Sequence, residues 1–127
     1  MQLVKSSKQY WEFIRKLRND PKVKGGFIEQ GHITEKQHEA FMEENNDNYY
    51  VCVLAGKPVG FVGNIDNDIR VATSPDFQGK GVGKFMIKRI SELFPEALAK
   101  VKVENEASIR LFEACGFEKK YYLLEKR

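Results

Sequence analysis

Gln78-Gly79-Lys80-Gly81-Val82-Gly83 stands between a strand-like run and an amphipathic helical stretch, and its reading decides the fold. Ahead of it, residues 68–73 alternate apolar and polar, and Ser74-Pro75-Asp76 ends the run with turn chemistry. Behind it, Val82, Phe85, Met86, Ile90 and Leu93 recur at helical spacing, with Lys84, Lys88 and Glu92 off that stripe. Glycines alternating with Gln, Lys and Val free backbone N–H groups to converge on an anion. The helix that follows points its unpaired amides and positive dipole end at the same spot. The segment therefore predicts a phosphate site, and a pyrophosphate-bearing ligand is the leading expectation.

Other glycine-rich phosphate loops do not fit. A P-loop needs a glycine five residues before Gly83 and a Ser or Thr after Lys84, where this chain has Gln78 and Phe85. A dinucleotide fingerprint needs Gly-x-Gly-x-x-Gly, whereas Gly79, Gly81 and Gly83 fall at two-residue spacing and Met86 occupies the last glycine position of one register.

At 127 residues the chain reads as a single domain, 1–127, long enough for one core. Hydrophobic residues at 42% and charged residues at 31% fit a folded domain rather than a disordered tail or a membrane protein. No long apolar region follows Met1-Gln2-Leu3-Val4-Lys5, so the expected location is cytoplasmic, with no membrane partner. Cys52 and Cys115 lack the spacing of a zinc site or disulfide framework, and no metal is expected. The formal charge is only +3 with both signs interspersed, which argues against a nucleic-acid partner.

The remaining elements are legible in outline. Residues 2–5 suit a short edge strand, and Ser6 or Ser7 can cap a helix with Tyr10, Trp11, Ile14 and Leu17 on one face. Asn19-Asp20-Pro21 ends it. Thr34-Glu35-Lys36-Gln37 is a capping box opening a second helix that carries His38, Phe41 and Met42. Residues 49–54 read as a buried strand, and Ala55-Gly56-Lys57-Pro58 as a hairpin turn into a partner with Val59, Phe61 and Val62. Ala99, Val101 and Val103 predict another strand. Asn105 then stands at the N-cap of a helix running to Cys115, with Gly116 suited to a left-handed C-terminus. Residues 117–125 predict a final strand. The order implies an α/β fold, a mixed central sheet with helices on both faces.

The pattern Gln78, Gly81, Gly83 resembles the acyl-CoA signature of the GCN5-related N-acetyltransferase (GNAT) superfamily. A second segment, from Asn105 through Ala107-Ser108 to Gly116-Phe117, is similar to the late helix of the same enzymes. The resemblance covers about residues 49–126. It implies a wedge where residues 71–73 splay from residues 99–103. The main chain of Val71 and Thr73 would pair with the pantetheine arm, and Gln78, Gly79, Lys80, Gly81, Val82, Gly83 and Lys84 would hold the pyrophosphate. Asn105 would touch the pantetheine end or serve as an N-cap only, while Ser108 and Phe112 would border the arm, with core packing the alternative role for Phe112.

By the same resemblance, the Val71 N–H would polarise the thioester carbonyl and Asp68 is the candidate base. Alternation puts Asp68 on the opposite face from Val71 unless a bulge intervenes. Relatives often carry a tyrosine acid where this chain has Phe112, leaving Cys115, Tyr121 or water to protonate the thiolate. Glu29, His32 and His38 fall in the region that shapes the acceptor pocket, with surface or capping roles as the alternative for each. Relatives also close with two strands, so a partner chain could complete the sheet edge in a homodimer. The implied activity is transfer of an acetyl group from acetyl-CoA to a primary amine of a small-molecule, amino-sugar or peptide acceptor. The alternative is a catalytically silent acyl-CoA-binding regulatory module.

Overall fold

The structure is a computed structural model that describes residues 1–28 and 31–127. Its sheet has four strands in the order β1 (Gln2–Lys5), β2 (Tyr49–Leu54), β3 (Lys57–Ile65) and β4 (Asp68–Thr73), each antiparallel to its neighbour. Two-residue turns join β2 to β3 and β3 to β4. Ala55 and Gly56 have φ of 52° and 78°, and Asp66 and Asn67 have 52° and 63°, the paired left-handed geometry that matches strand twist in tight hairpins.

Five helices cover the two faces: α1 (Trp11–Asn19), α2 (Pro21–Lys24), α3 (Glu35–Asn45), α4 (Val82–Leu93) and α5 (Glu106–Ala114). On one face Ile14, Leu17 and Met42 from α1 and α3 pack on Tyr49, Val51, Phe61 and Ala72. On the other, Val82, Met86, Ile87 and Ile90 of α4 and Phe112 of α5 pack on Cys52, Val59, Val62 and Ile69. The period-two alternation of β2 and β4 sorts their side chains between these cores. In β3 the register shifts by one opposite Cys52 and Val53, and this bulge turns Val59 toward α4.

Glycines set two close approaches. A β-carbon on Gly60 would lie 2.7 Å from Met86 Cε, so α4 rests directly on the strand. One on Gly63 would lie 2.6 Å from the Tyr49 ring, so the phenol crosses β3 toward the β4 edge, beneath the cavity described below.

Several local expectations need correction. The N-terminal helix begins at Trp11 after a 3₁₀ turn over Lys8–Tyr10, and Ser7 makes no side-chain cap. Past Asn19 the chain re-enters a short helix, α2, because Asp20 accepts the Lys22 amide at 2.8 Å ahead of Pro21. The predicted strand at 99–103 does not form. It is reduced to one parallel bridge, Leu98 with Asp68, beside the antiparallel strands. The predicted strand at 117–125 is likewise unpaired, with Tyr121, Tyr122, Leu123 and Leu124 between 74% and 93% exposed. Both segments have strand-like composition, but a strand exists only with a hydrogen-bonded neighbour, and neither supplies one to the other. Among the described residues, no helix is long and apolar enough to cross a membrane.

Candidate functional site

The glycine loop follows a 3₁₀ turn, Pro75–Phe77, and delivers the chain into α4. Gly79 and Gly81 have φ of 76° and 82°, a conformation that side chains resist, and a β-carbon on either would meet nothing within 4 Å. Gly81 is the N-cap of α4, no side chain caps that terminus, and the first turn holds no carboxylate. Its leading amides therefore have no partner within the helix. Lys80 lies over the Phe77 ring at 5.4 Å, which holds an ammonium beside this terminus.

Gly83 plays a different part. It is already helical, and a β-carbon there would lie 2.9 Å from Leu111 Cδ2 and 3.6 Å from Thr73 Oγ1. Its missing side chain lets α5 close on α4.

The edge of β4 leads from this loop to a cavity. The Ile69 amide donates outward to Leu98 at 2.9 Å, and the Leu98 amide donates to Asn67 O at 2.8 Å. Because main-chain groups of alternate strand residues point the same way, Val71 and Thr73 also direct N–H and C=O outward. Beyond Leu98 the facing segment pairs with nothing on β4. Gln78 Nε2 donates to the Thr73 carbonyl at 3.3 Å, tying the loop to this edge. The opening forms a cavity of about 280 Å³ whose lining includes Asp68, Val71, Lys100, Asn105, Ser108 and Phe112. Thus Asp68, Val71, Asn105, Ser108 and Phe112 share one space, while Thr73, Gln78 and the glycine loop continue from it along the strand.

Asp68 and Val71 do point to opposite faces of β4, and the regular pairing of β4 with β3 has no bulge to change that. None is needed, because the cavity wraps the open edge and both residues line it. Asp68 Oδ1 is buried with no hydrogen-bond partner, and Oδ2 lies 3.9 Å from Arg70 Nε. Asn105 Oδ1 accepts the Ser108 amide at 3.2 Å, so the N-cap role is real. Its Nδ2 lies 3.0 Å from where a Gly26 β-carbon would be, turned toward the cavity wall. Phe112 is buried and packs edge-on against Phe117 with centroids 5.2 Å apart, a core contact with no proton to give.

The other proton-transfer candidates are elsewhere. Cys115 directs its sulfur to Lys84 O at 3.8 Å across the α4–α5 contact, and burial pushes its pKa up. Tyr121 is 93% exposed. His32 is exposed, and Glu29 lies outside the described residues. His38 is buried rather than at the surface. Burial, reinforced by the Arg18 guanidinium 3.4 Å from Nδ1, pushes its pKa down to about 4, so it is neutral near pH 7.

The sequence reading missed Arg70, Tyr49, Arg18 and the 26–28 loop, which also line the cavity. Burial raises the Tyr49 pKa, while Arg18 and Arg70 act on the phenol in the opposite sense. Arg70 had a usable signal, since two residues from Asp68 on one strand means one face.

Comparison with known proteins places this geometry. The model of the acetyltransferase (GNAT) family matches residues 11–117. The chain belongs to the GNAT family. An uncharacterized N-acetyltransferase of Methanocaldococcus jannaschii is 32% identical over 62% of this chain, which spans only 42% of that relative's length. Among solved structures, spermidine N-acetyltransferase of Vibrio cholerae in complex with CoA and spermine superposes with a TM-score of 0.84 at 20% identity, covering 98% of this chain and 85% of that one. The aminoglycoside acetyltransferase AAC(6')-Iy, in complex with a bisubstrate analogue, gives 0.74 at 20% identity over 99% and 96%. At these identities the likeness is one of fold.

Proposed function

We propose that this GNAT domain moves an acetyl group from acetyl-CoA to a primary amine by direct attack. The observation that carries the reading is the open edge of β4, which lies between the start of α4, without a side-chain cap, and the cavity lined by Asp68 and Val71. The fit of acetyl-CoA is supported by the cradle itself: left-handed Gly79 and Gly81 with open space where side chains would stand. Structures of similar fold contain CoA and amine acceptors, which supports the same pairing here.

Acetyl-CoA supplies an acetyl group activated as a thioester. The first-turn amides of α4 and the Lys80 and Lys84 ammoniums hold the pyrophosphate, and the outward groups of Val71 and Thr73 hold the pantetheine arm as a strand would. The Val71 N–H points to where the carbonyl oxygen gains charge during attack. Asp68, whose side chain is partly exposed at the cavity, accepts the proton from the amine. The N–C bond forms as the C–S bond breaks, and the thiolate takes its proton from solvent. Phe112 therefore does not argue for a silent module, because this leaving group needs no side-chain acid.

The test is release of free thiol from acetyl-CoA with a panel of primary amines, together with Asp68→Asn. Thiol release above the amine-free rate, reduced about 100-fold in kcat by the substitution, is expected. A folded protein that binds CoA but releases no thiol with any amine would sink the enzymatic reading.

A further inference from the structure

The acceptor end of the cavity has a charge pattern that selects among amines. Asp68 and Arg70 are two residues apart on β4, so both side chains leave the same face, with α-carbons about 6.5–7 Å apart. Their approach is loose, a single Nε–Oδ2 contact at 3.9 Å, longer than the paired 2.7–2.9 Å bonds of a bidentate arginine–carboxylate fork. The Arg70 side chain is 42% exposed, and that of Asp68 is 23% exposed. The dyad thus presents an acceptor for N–H and, beside it, a donor fork for an anion.

The rest of the wall tilts the balance further. Among the described lining residues, Arg18, Arg70 and Lys100 are cations and Asp68 is the sole carboxylate. A ligand with a second ammonium would meet Arg70 and Lys100, whereas one with a carboxylate beside its amine would match Asp68 and Arg70 together. Phe27, Ile28 and Ile33 add an apolar wall.

Resting on the acetyl-transfer reading, we propose that the acceptor is a small zwitterion, an amino acid with an apolar side chain. Its amine seats on Asp68 and its carboxylate on Arg70. This separates the chain from proteins of similar fold named for spermidine or aminoglycosides, whose several ammoniums have no matching set of carboxylates among the described lining residues.

The experiment compares apolar α-amino acids with their methyl esters and with spermidine, by thiol release and by calorimetry with and without CoA. The acids are expected to exceed their esters by about 30-fold in kcat/KM, the scale of one charge-assisted pair at about 1.4 kcal/mol per tenfold. Arg70→Glu should reverse that order, Arg70→Lys should keep it in weaker form, and Arg70→Ala should raise KM more than it lowers kcat. Esters or spermidine outperforming the acids, or a folded Arg70→Glu protein with the wild-type ratio, would overturn the assignment. If no amine releases thiol, the acetyl-transfer reading fails separately and calorimetry decides this one. Acids binding about tenfold more tightly than esters uphold it, and equal binding removes it.

Discussion

Helices α4 and α5 lie against each other on one face of the sheet, yet their N-termini are finished in opposite ways. At α5, Asn105 folds its carboxamide back onto the Ser108 amide, the ordinary way a helix satisfies its own first turn. At α4, a left-handed Gly81 stands in the cap position with no side chain, no carboxylate follows, and ammoniums of Lys80 and Lys84 are next in sequence. A side-chain cap stabilises a helix by about 1 kcal/mol. Forgoing it at the longer and more deeply buried of the two helices makes sense where an external anion supplies the missing acceptors. The difference separates a terminus closed by its own chain from one left open.

The strongest way to break that contrast is to close the open terminus. Gly81→Asp puts a carboxylate where the pyrophosphate is proposed to sit, and should lower CoA affinity by about 100-fold or more in calorimetry, close to 3 kcal/mol. The left-handed φ of 82° costs about 1–2 kcal/mol with any side chain, offset in part by the favourable charge at a helix start, so the protein should remain folded. Gly81→Ala bears the strain without the charge and should lose about tenfold or less. Equal affinity of wild type and a folded Gly81→Asp would remove the anion assignment.

Gly83 is only two residues away and should answer differently. Its open neighbour is Leu111, not solvent, so Gly83→Asp should cost about 2 kcal/mol of stability, read as a lower thermal midpoint, through crowding at the α4–α5 contact. Leu111→Ala, added to Gly83→Ala, should restore part of what the single Gly83 change removes. A Gly83→Asp protein as stable as wild type would show that the contact yields easily and that the two glycines are alike.

How far these roles were readable beforehand follows from the same residues. The loop, both helix starts and the order of β2, β3 and β4 were legible because each rests on local chemistry: glycine at left-handed positions, Asn or Thr at caps, alternation in strands. The packing role of Gly83 was not legible, because spacing cannot show that Leu111 approaches it. Residues 99–103 and 117–125 read as strands because their composition is that of strands, while pairing depends on a neighbour that the segment itself does not encode. The cavity's arginines were invisible for a related reason. Arg18 and Arg70 are 52 positions apart in sequence and meet at Tyr49 only after Gly63 has let the phenol across.

At the closed terminus the cap can be removed while its second function is watched. Asn105→Ala should lower stability by about 1 kcal/mol, the cost of one lost cap, seen as a drop of a few degrees in thermal midpoint. Asn105→Asp keeps an oxygen for the Ser108 amide but loses Nδ2, the group beside Gly26 at the cavity wall. Stability should then hold while CoA affinity falls about fivefold, or 1 kcal/mol, if that amide nitrogen meets the pantetheine end. Unchanged affinity with unchanged stability would make Asn105 a cap and nothing more.

The smallest effect belongs to the ammonium beside the open terminus. Lys80 is anchored over Phe77 at 5.4 Å but remains exposed, so its attraction to a phosphate is screened by water and salt. Lys80→Gln should weaken CoA binding by about two- to fourfold at low salt, and the difference should fade near 0.5 M salt, where screening acts within a few ångströms. Dephospho-CoA supplies the control. If Lys80 serves the pyrophosphate, losing the ribose phosphate leaves the Lys80→Gln penalty intact. A penalty that vanishes with that phosphate would move Lys80 to the far end of the nucleotide and leave the pyrophosphate to the backbone of α4 alone.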